Sequence, residues 1–289
     1  FSVIAFLLIQ APPGDFLTSY IAELAASASV ALDGRLADFQ QGIDALAKLA
    51  GDGGVHLGLR RSDNALAGVK NCQMTYFEGP HPSGNVGVHI HYIDPISSKD
   101  DSVWYLSVQD VCKIGRLFVD GVINTTKIIS MGGPSCQKPS YLEIYNGTCL
   151  SHINDELELN IDESCVLISG SVLSGEYIDL EKSLSFYHES LSMLQNDKER
   201  HFLGWLLPGF NTFTLTNTFV SKVLNSNHSI NHNMKNGSNR AIVPIGLWEK
   251  MLPMDILPNF LVRSILAADI EDMEKLGIYE CAAEDFALC

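Results

Sequence analysis

With 289 residues, 46% of them hydrophobic, the chain is long enough to bury one or two sizeable cores, which excludes a disordered class. Its formal charge of -15, from 34 acidic against 19 basic residues, disfavours nucleic acid and anionic membrane surfaces as direct partners. The most apolar stretch, Phe1 to Ile9, falls far short of the roughly 20 residues that a spanning helix needs, so no direct membrane span is expected.

That stretch reads instead as a buried strand. It lacks the basic flank of a signal peptide and the chain has no initiator Met, so the sequence is expected to be a trimmed piece of a longer protein. Cysteines occur at 72, 112, 136, 149, 165, 281 and 289, an odd and dispersed set without a CxxC pair, which fits thiols in a reducing compartment. Glycosylation sequons begin at Asn124, Asn146, Asn227 and Asn236 and would matter only in a secreted protein.

From the N-terminus, strand signal at Val3 to Ile9 gives way to helical spacing of Leu36, Phe39, Ile43, Leu46 and Ala50. Asp33 is the expected N-cap and Gly51 the stop. A strand follows at Val55 to Leu59, then another at Val103 to Val108 leading into a helix from Gln109 to Phe118, closed by Asp120-Gly121. Alternating β and α of this kind predicts a parallel, Rossmann-like layer over residues 1–126. Residues 127–245 change in texture: short β-rich runs at Lys127 to Met131, Tyr141 to Tyr145, Cys165 to Ser169 and Phe213 to Thr218 predict a β-rich domain. The polar segment Asn225 to Asn239 predicts an exposed loop or hairpin. Helical spacing returns over Asp255 to Ala268 and Asp269 to Leu276, so residues 246–289 are expected to be helical. The fold class is α/β plus α+β.

His81, His89, His91 and Asp94 form the one cluster with metal-ligand character. On a strand, His89 and His91 would face the same way. No fourth ligand follows at a suitable spacing, which favours the polar face of a strand; hydrogen-bonding or titrating groups in a contact surface are the third reading. Gly79 to Gly87 is a glycine-rich loop, yet it is neither GxGxxG nor GxxxxGK[ST], and Pro80 and Pro82 remove amide donors that an anion nest needs. A structural turn is the better reading. The Glu284-Asp285 pair sits in what looks like a solvated acidic stretch, and no GxSxG elbow appears.

The run Glu78-Gly79-Pro80-His81-Pro82-Ser83-Gly84-Asn85-Val86-Gly87-Val88-His89-Ile90-His91-Tyr92-Ile93-Asp94-Pro95-Ile96 resembles the signature of the A subunit of the bacterial sodium-translocating NADH:quinone reductases. Val103-Trp104-Tyr105, Ile114-Gly115-Arg116-Leu117-Phe118, Phe202-Leu203-Gly204-Trp205 and Met254-Asp255-Ile256-Leu257-Pro258 follow in the same order, so the likeness runs from about Glu78 to the end. The family's wider kin, the C subunit of Rnf complexes and the flavin- and NADH-binding subunit of complex I, imply a Rossmann-like domain, a β-grasp (SLBB-type) domain and a helical end. Where the Rnf-type subunit carries a ferredoxin-like CxxCxxCxxxCP run, alignment on Pro253 puts Ile242, Ile245, Trp248 and Leu252 at the cysteine positions. Such side chains cannot ligate a cluster, and a packed helical core is expected there. The complex I relative's Gly-Glu-Glu stretch near flavin is replaced by Val86 to His91, so no bound flavin is expected either.

The resemblance implies a peripheral subunit on the cytoplasmic face of the bacterial inner membrane, binding no redox cofactor itself, in a complex that uses NADH, flavins and iron-sulfur with quinone as substrate. Its partners would be the other reductase subunits, especially the membrane-embedded one that handles quinone and flavin. His89, His91, Trp104 and Trp205 are hydrogen-bond donors among apolar residues and so candidates for quinone contact. A pure scaffold without a small-molecule site is the alternative, and a flavin-dependent NADH oxidoreductase the third reading.

Overall fold

A computed structural model describes residues 2–6, 30–60, 66–157, 161, 164–196, 202–210, 219–222 and 242–287. The expected strand at Phe213 to Thr218 and the polar segment Asn225 to Asn239 lie outside these residues. The chain divides into two units, one containing Leu24–Thr125 and Ile242–Cys289 together with the first strand, the other containing Thr126–Ala241.

The first unit is built on four parallel strands: β1 (Ser2–Phe6), β2 (Val55–Leu59), β3 (Gln73–Tyr76) and β4 (Val103–Ser107), in the order β3-β2-β1-β4. Parallel neighbours need crossovers, and a helix lies in the one from β1 to β2. Helix α1 (Leu36–Ala50) buries Phe39, Ile43, Leu46 and Ala50 at the spacing seen in the sequence and ends at Gly51, whose φ of 56° suits glycine. The expected cap at Asp33 is not used, because a turn intervenes and Arg35 is the N-cap, without a side-chain bond. Phe39 and Ile43 pack with Leu57 and Leu59 of β2 in one core.

The run Val86–Ile93 forms α2, and α3 (Val108–Asp120) follows β4. At the start of α3, Ser107 accepts the Asp110 N–H at 3.2 Å, and this cap stops the strand one residue before Val108. Helix α3 buries Val108, Val111, Cys112 and Gly115 and closes on Gly121 in the left-handed region, φ 71°. Helices α1 and α3 touch backbone to backbone: a Cβ on Gly115 would sit 1.8 Å from the Asp38 carbonyl oxygen and 2.7 Å from the Gly42 nitrogen.

Helix α2 is a correction to the strand expected from its sequence. The alternating, β-branched run VGVHIHYI has strand propensity, yet it is helical, with Val88, His89 and Ile90 buried in succession. The turn before it decides this. Ser83 donates to the Pro80 carbonyl at 3.0 Å and Asn85 to that of Pro82 at 2.8 Å, leaving Asn85 extended as the N-cap.

The second unit holds a mixed five-stranded sheet: β5 (Thr126–Gly132), β6 (Ser140–Tyr145), β7 (Cys165–Ser169), β8 (Glu176–Ile178) and β9 (Ser190–Gln195), ordered β6-β5-β9-β7-β8. Among the described strands of this sheet, only β5 and β9 pair in parallel. Helix α4 (Leu150–Leu157) contributes Leu150 and Ile153 to a core with Ile129, Met131, Leu191 and Met193.

Ile242–Cys289 groups with the first unit and carries α5 (Leu247–Met251), α6 (Pro258–Ala267) and α7 (Ile270–Lys275). The packed core expected where relatives place thiolates is a second correction. Leu252 is buried, but Ile242 and Ile245 are exposed and α5 buries none of its residues. A helix of five residues is too short to present a whole face inward. No described helix is long and apolar enough to cross a membrane.

Candidate functional site

The family-like signature converges on α2 and on the residues it grips. His89 is fully buried, its ring stacked on Phe77 with centroids 3.8 Å apart and 9° between planes. It also lies on Gly58 of β2, where a Cβ would come within 2.4 Å of Nδ1. Burial pulls the imidazole down from its ordinary 6.5 to about 4, a hydrogen bond to the Ser83 backbone offsetting part of the fall. His89 is therefore neutral at physiological pH. The cleft beside it, lined by Arg60, Phe77, Glu78 and Ser83, has about 10 Å³ of space, room for one water and not for a quinone ring.

His91, two residues on, points elsewhere because about 200° of helix separates the pair. Its Nε2 lies 3.1 Å from the Asp255 N–H, which can only donate, so the ring proton sits on Nδ1 and is given to Glu280 Oε2 at 2.6 Å. The other Glu280 oxygen accepts the Ile96 N–H at 2.6 Å. Tyr92 donates to the Pro253 carbonyl at 2.9 Å. Asn85 makes no side-chain cap bond; its amide nitrogen donates to Asp285 Oδ1 at 2.7 Å, while Asp285 Oδ2 accepts the Ala282 N–H at 2.7 Å. Gly87 permits this close contact: a Cβ there would collide with the Glu280 carbonyl oxygen at 1.9 Å.

Two carboxylates that stood out little in the sequence thus do the holding. Asp285, in what reads from the sequence as a solvated acidic stretch, is 1% exposed; Glu280 is likewise buried. The signal available in the sequence was the spacing of Asp285 three residues after Ala282, where an acid caps a short helix. Among the described residues no three His, Cys, Asp or Glu side chains are grouped as a metal site requires, and His81, His89, His91 and Asp94 do not come together. The described cysteines form no disulfide, and burial pushes the Cys112 and Cys281 thiols up to about 12.

Trp104, on β4, is 63% exposed beside an exposed Tyr105. Trp205 belongs to the second unit, in a short turn over Gly204–Leu206, and its side chain lies outside the described residues. Among the described side chains, His89, His91 and Trp104 share no one slot. Beside Trp104, the cleft lined by Asp94, Ile96, Asp100 and Val103 measures about 430 Å³ but is walled by carboxylates and backbone, the opposite of an apolar slot.

Residues 1–123 match a family model described as the NqrA second alpha/beta domain, and residues 128–179 match one described as the NQRA C-terminal domain. Over 273 residues the chain is 39% identical to the A subunit of the Na(+)-translocating NADH-quinone reductase of Histophilus somni (strain 2336), which is 92% of this chain and 59% of that protein. The chain belongs to this family of reductase A subunits. The counterpart from Tolumonas auensis is 37% identical over 269 residues, again 92% of this chain and 59% of the relative. That of Shewanella denitrificans is 37% identical over 282 residues, 96% and 61%. The chain thus spans about three fifths of the length of the curated relatives it matches. In this member the signature run is a clasp, with Asn85, Gly87, His91 and Tyr92 all engaging residues between 253 and 285.

A pH dependence follows from His89. The unfolded ring takes up a proton below about pH 6.5, the folded one only below about 4, so stability falls as pH drops through that window and is unaffected by this group above it. At pH 5 the expected loss is about 2 kcal/mol relative to pH 7. Urea unfolding of the wild type and His89→Phe at both pH values checks it: the variant is expected to lack this part of the slope, and equal slopes would refute the assignment.

Proposed function

We propose that the chain serves a sodium-pumping NADH:quinone oxidoreductase as a peripheral docking subunit, held at the cytoplasmic face of the bacterial inner membrane by membrane-embedded partners and binding no flavin, iron or metal itself. The observation that carries this reading is the use of the signature's polar groups. His91 has both ring nitrogens engaged within the chain and Asn85 and Tyr92 are likewise bonded internally, so the run is spent on architecture. Supporting it, aliphatic and aromatic residues stand at the positions where iron-sulfur relatives carry thiolates. The parallel order β3-β2-β1-β4 supports a Rossmann-like reading of the first sheet, and the mixed sheet with α4 a β-grasp, SLBB-type reading of the second.

Cross-linking mass spectrometry on the assembled reductase tests the proposal. Contacts from this chain to the membrane-embedded subunits are expected; contacts confined to unrelated proteins would overturn it. Stoichiometric flavin absorption by the purified full-length protein would remove the cofactor-free part.

The second reading, quinone contact, is favoured by one observation, the exposed indole of Trp104 beside Tyr105. His89, by contrast, offers a closed surrounding and His91 an occupied ring. Titration with a short-chain ubiquinone, followed by tryptophan fluorescence, separates the two readings. Saturable quenching in the complex that Trp104→Phe abolishes would favour quinone contact, and its absence leaves the docking role.

A further inference from the structure

The loop between β8 and β9 spends buried polar groups on its own shape. Lys127 of β5 is 3% exposed, and its ammonium donates to the carbonyls of Ser185, Phe186 and His188 at 3.3, 3.4 and 3.0 Å. A buried ammonium has three protons to satisfy, and these three carbonyls take them. Ser169 fixes the same loop from the sheet, its Oγ accepting the Ser185 N–H at 3.1 Å and bonding His188 Nδ1 at 2.9 Å. Ser185 in turn donates its hydroxyl to Glu176 at 3.2 Å.

What this framework displays takes no part in the unit's core. Phe186 and Tyr187 stand 65% and 81% exposed at the tip, their rings edge to face at 5.0 Å and 82°. Holding two aromatic rings in water on a preset backbone costs solvation and returns nothing to folding. Rigid aromatic residues are what protein interfaces use as anchors, because little entropy is lost when they seat. Charge narrows the partner. Glu176, Asp179 and Glu181 are exposed around the loop, and Lys182, also exposed there, is paired with Asp179 at 3.6 Å. Such a surface is repelled by anionic lipid headgroups and attracted to a basic rim.

We propose that Phe186 and Tyr187 are a preformed anchor that seats in an apolar, basic-rimmed pocket of another protein of the reductase complex. This rests on the docking reading above. The test uses the full-length protein with the detergent-solubilised complex, comparing wild type with F186A/Y187A. The variant is expected to melt within about 1 °C of wild type, since surface truncations barely alter stability, yet to be retained on the membrane-embedded subunits at least about tenfold less. Equal retention overturns the anchor while leaving the docking reading intact; failure of the wild type itself to assemble overturns both. Binding of the wild type to phosphatidylcholine–phosphatidylglycerol vesicles, lost in the variant, overturns the protein pocket in favour of a lipid surface.

Discussion

Gly115→Ala is expected to destabilise the first unit by about 3 kcal/mol or more, well above the common cost of one added methyl in a core. The added carbon would lie 1.8 Å from the Asp38 carbonyl oxygen, 2.7 Å from the Gly42 nitrogen and 2.8 Å from the Asp38 carbonyl carbon. All three are backbone atoms of α1, so no side chain can rotate away, and α1 and α3 must separate. That separation would loosen Phe39 and Ile43 against Val111 and the β2 residues Leu57 and Leu59. Urea denaturation with hydrogen exchange at the α1 amides reads the effect. Gly68→Ala is the control, because nothing lies within 4 Å of its added carbon; it is expected to be neutral or slightly stabilising. A Gly115→Ala protein as stable as the control would refute the backbone-contact account.

Glu280→Ala is expected to cost about 2–4 kcal/mol, with the damage confined to the clasp. It leaves the His91 Nδ1–H and the Ile96 N–H facing a void where each had an acceptor at 2.6 Å. Glu280→Gln is not expected to rescue it. The amide that replaces Oε2 would face a ring nitrogen already carrying a proton, and moving that proton to Nε2 would set it against the Asp255 N–H. Amide exchange at Ile96 and Asp255 is the measurement. Both are expected to accelerate while the α1 amides stay protected, and a global loss of protection would show that the C-terminal helices are not a separable clasp.

The regular elements were legible because each has a local cause. The spacing of Phe39, Ile43 and Leu46, the glycines at 51 and 121, and the apolar run of β2 dictate helix, stop and strand without reference to anything distant. The candidate site was legible only as a stretch of sequence. Its residues stand out, but the alternation of Val, Ile and Tyr there favours a strand, and a short helix held by long-range contacts overrides that propensity. Asp285 looked solvated for a similar reason: its partner, Asn85, is 200 residues away.

Family membership, the alternation of β and α, and the lack of thiolates at the ferredoxin-like positions were determined by the sequence alone, since each depends on residue identity or on periods of a few residues. Tertiary structure decided the burial of Lys127, Glu280 and Asp285, the ring proton of His91, and the exposure of Phe186, Tyr187 and Ile245. Those properties depend on which backbone donors and acceptors arrive from elsewhere in the chain, and a buried charge is tolerated only where such partners meet it.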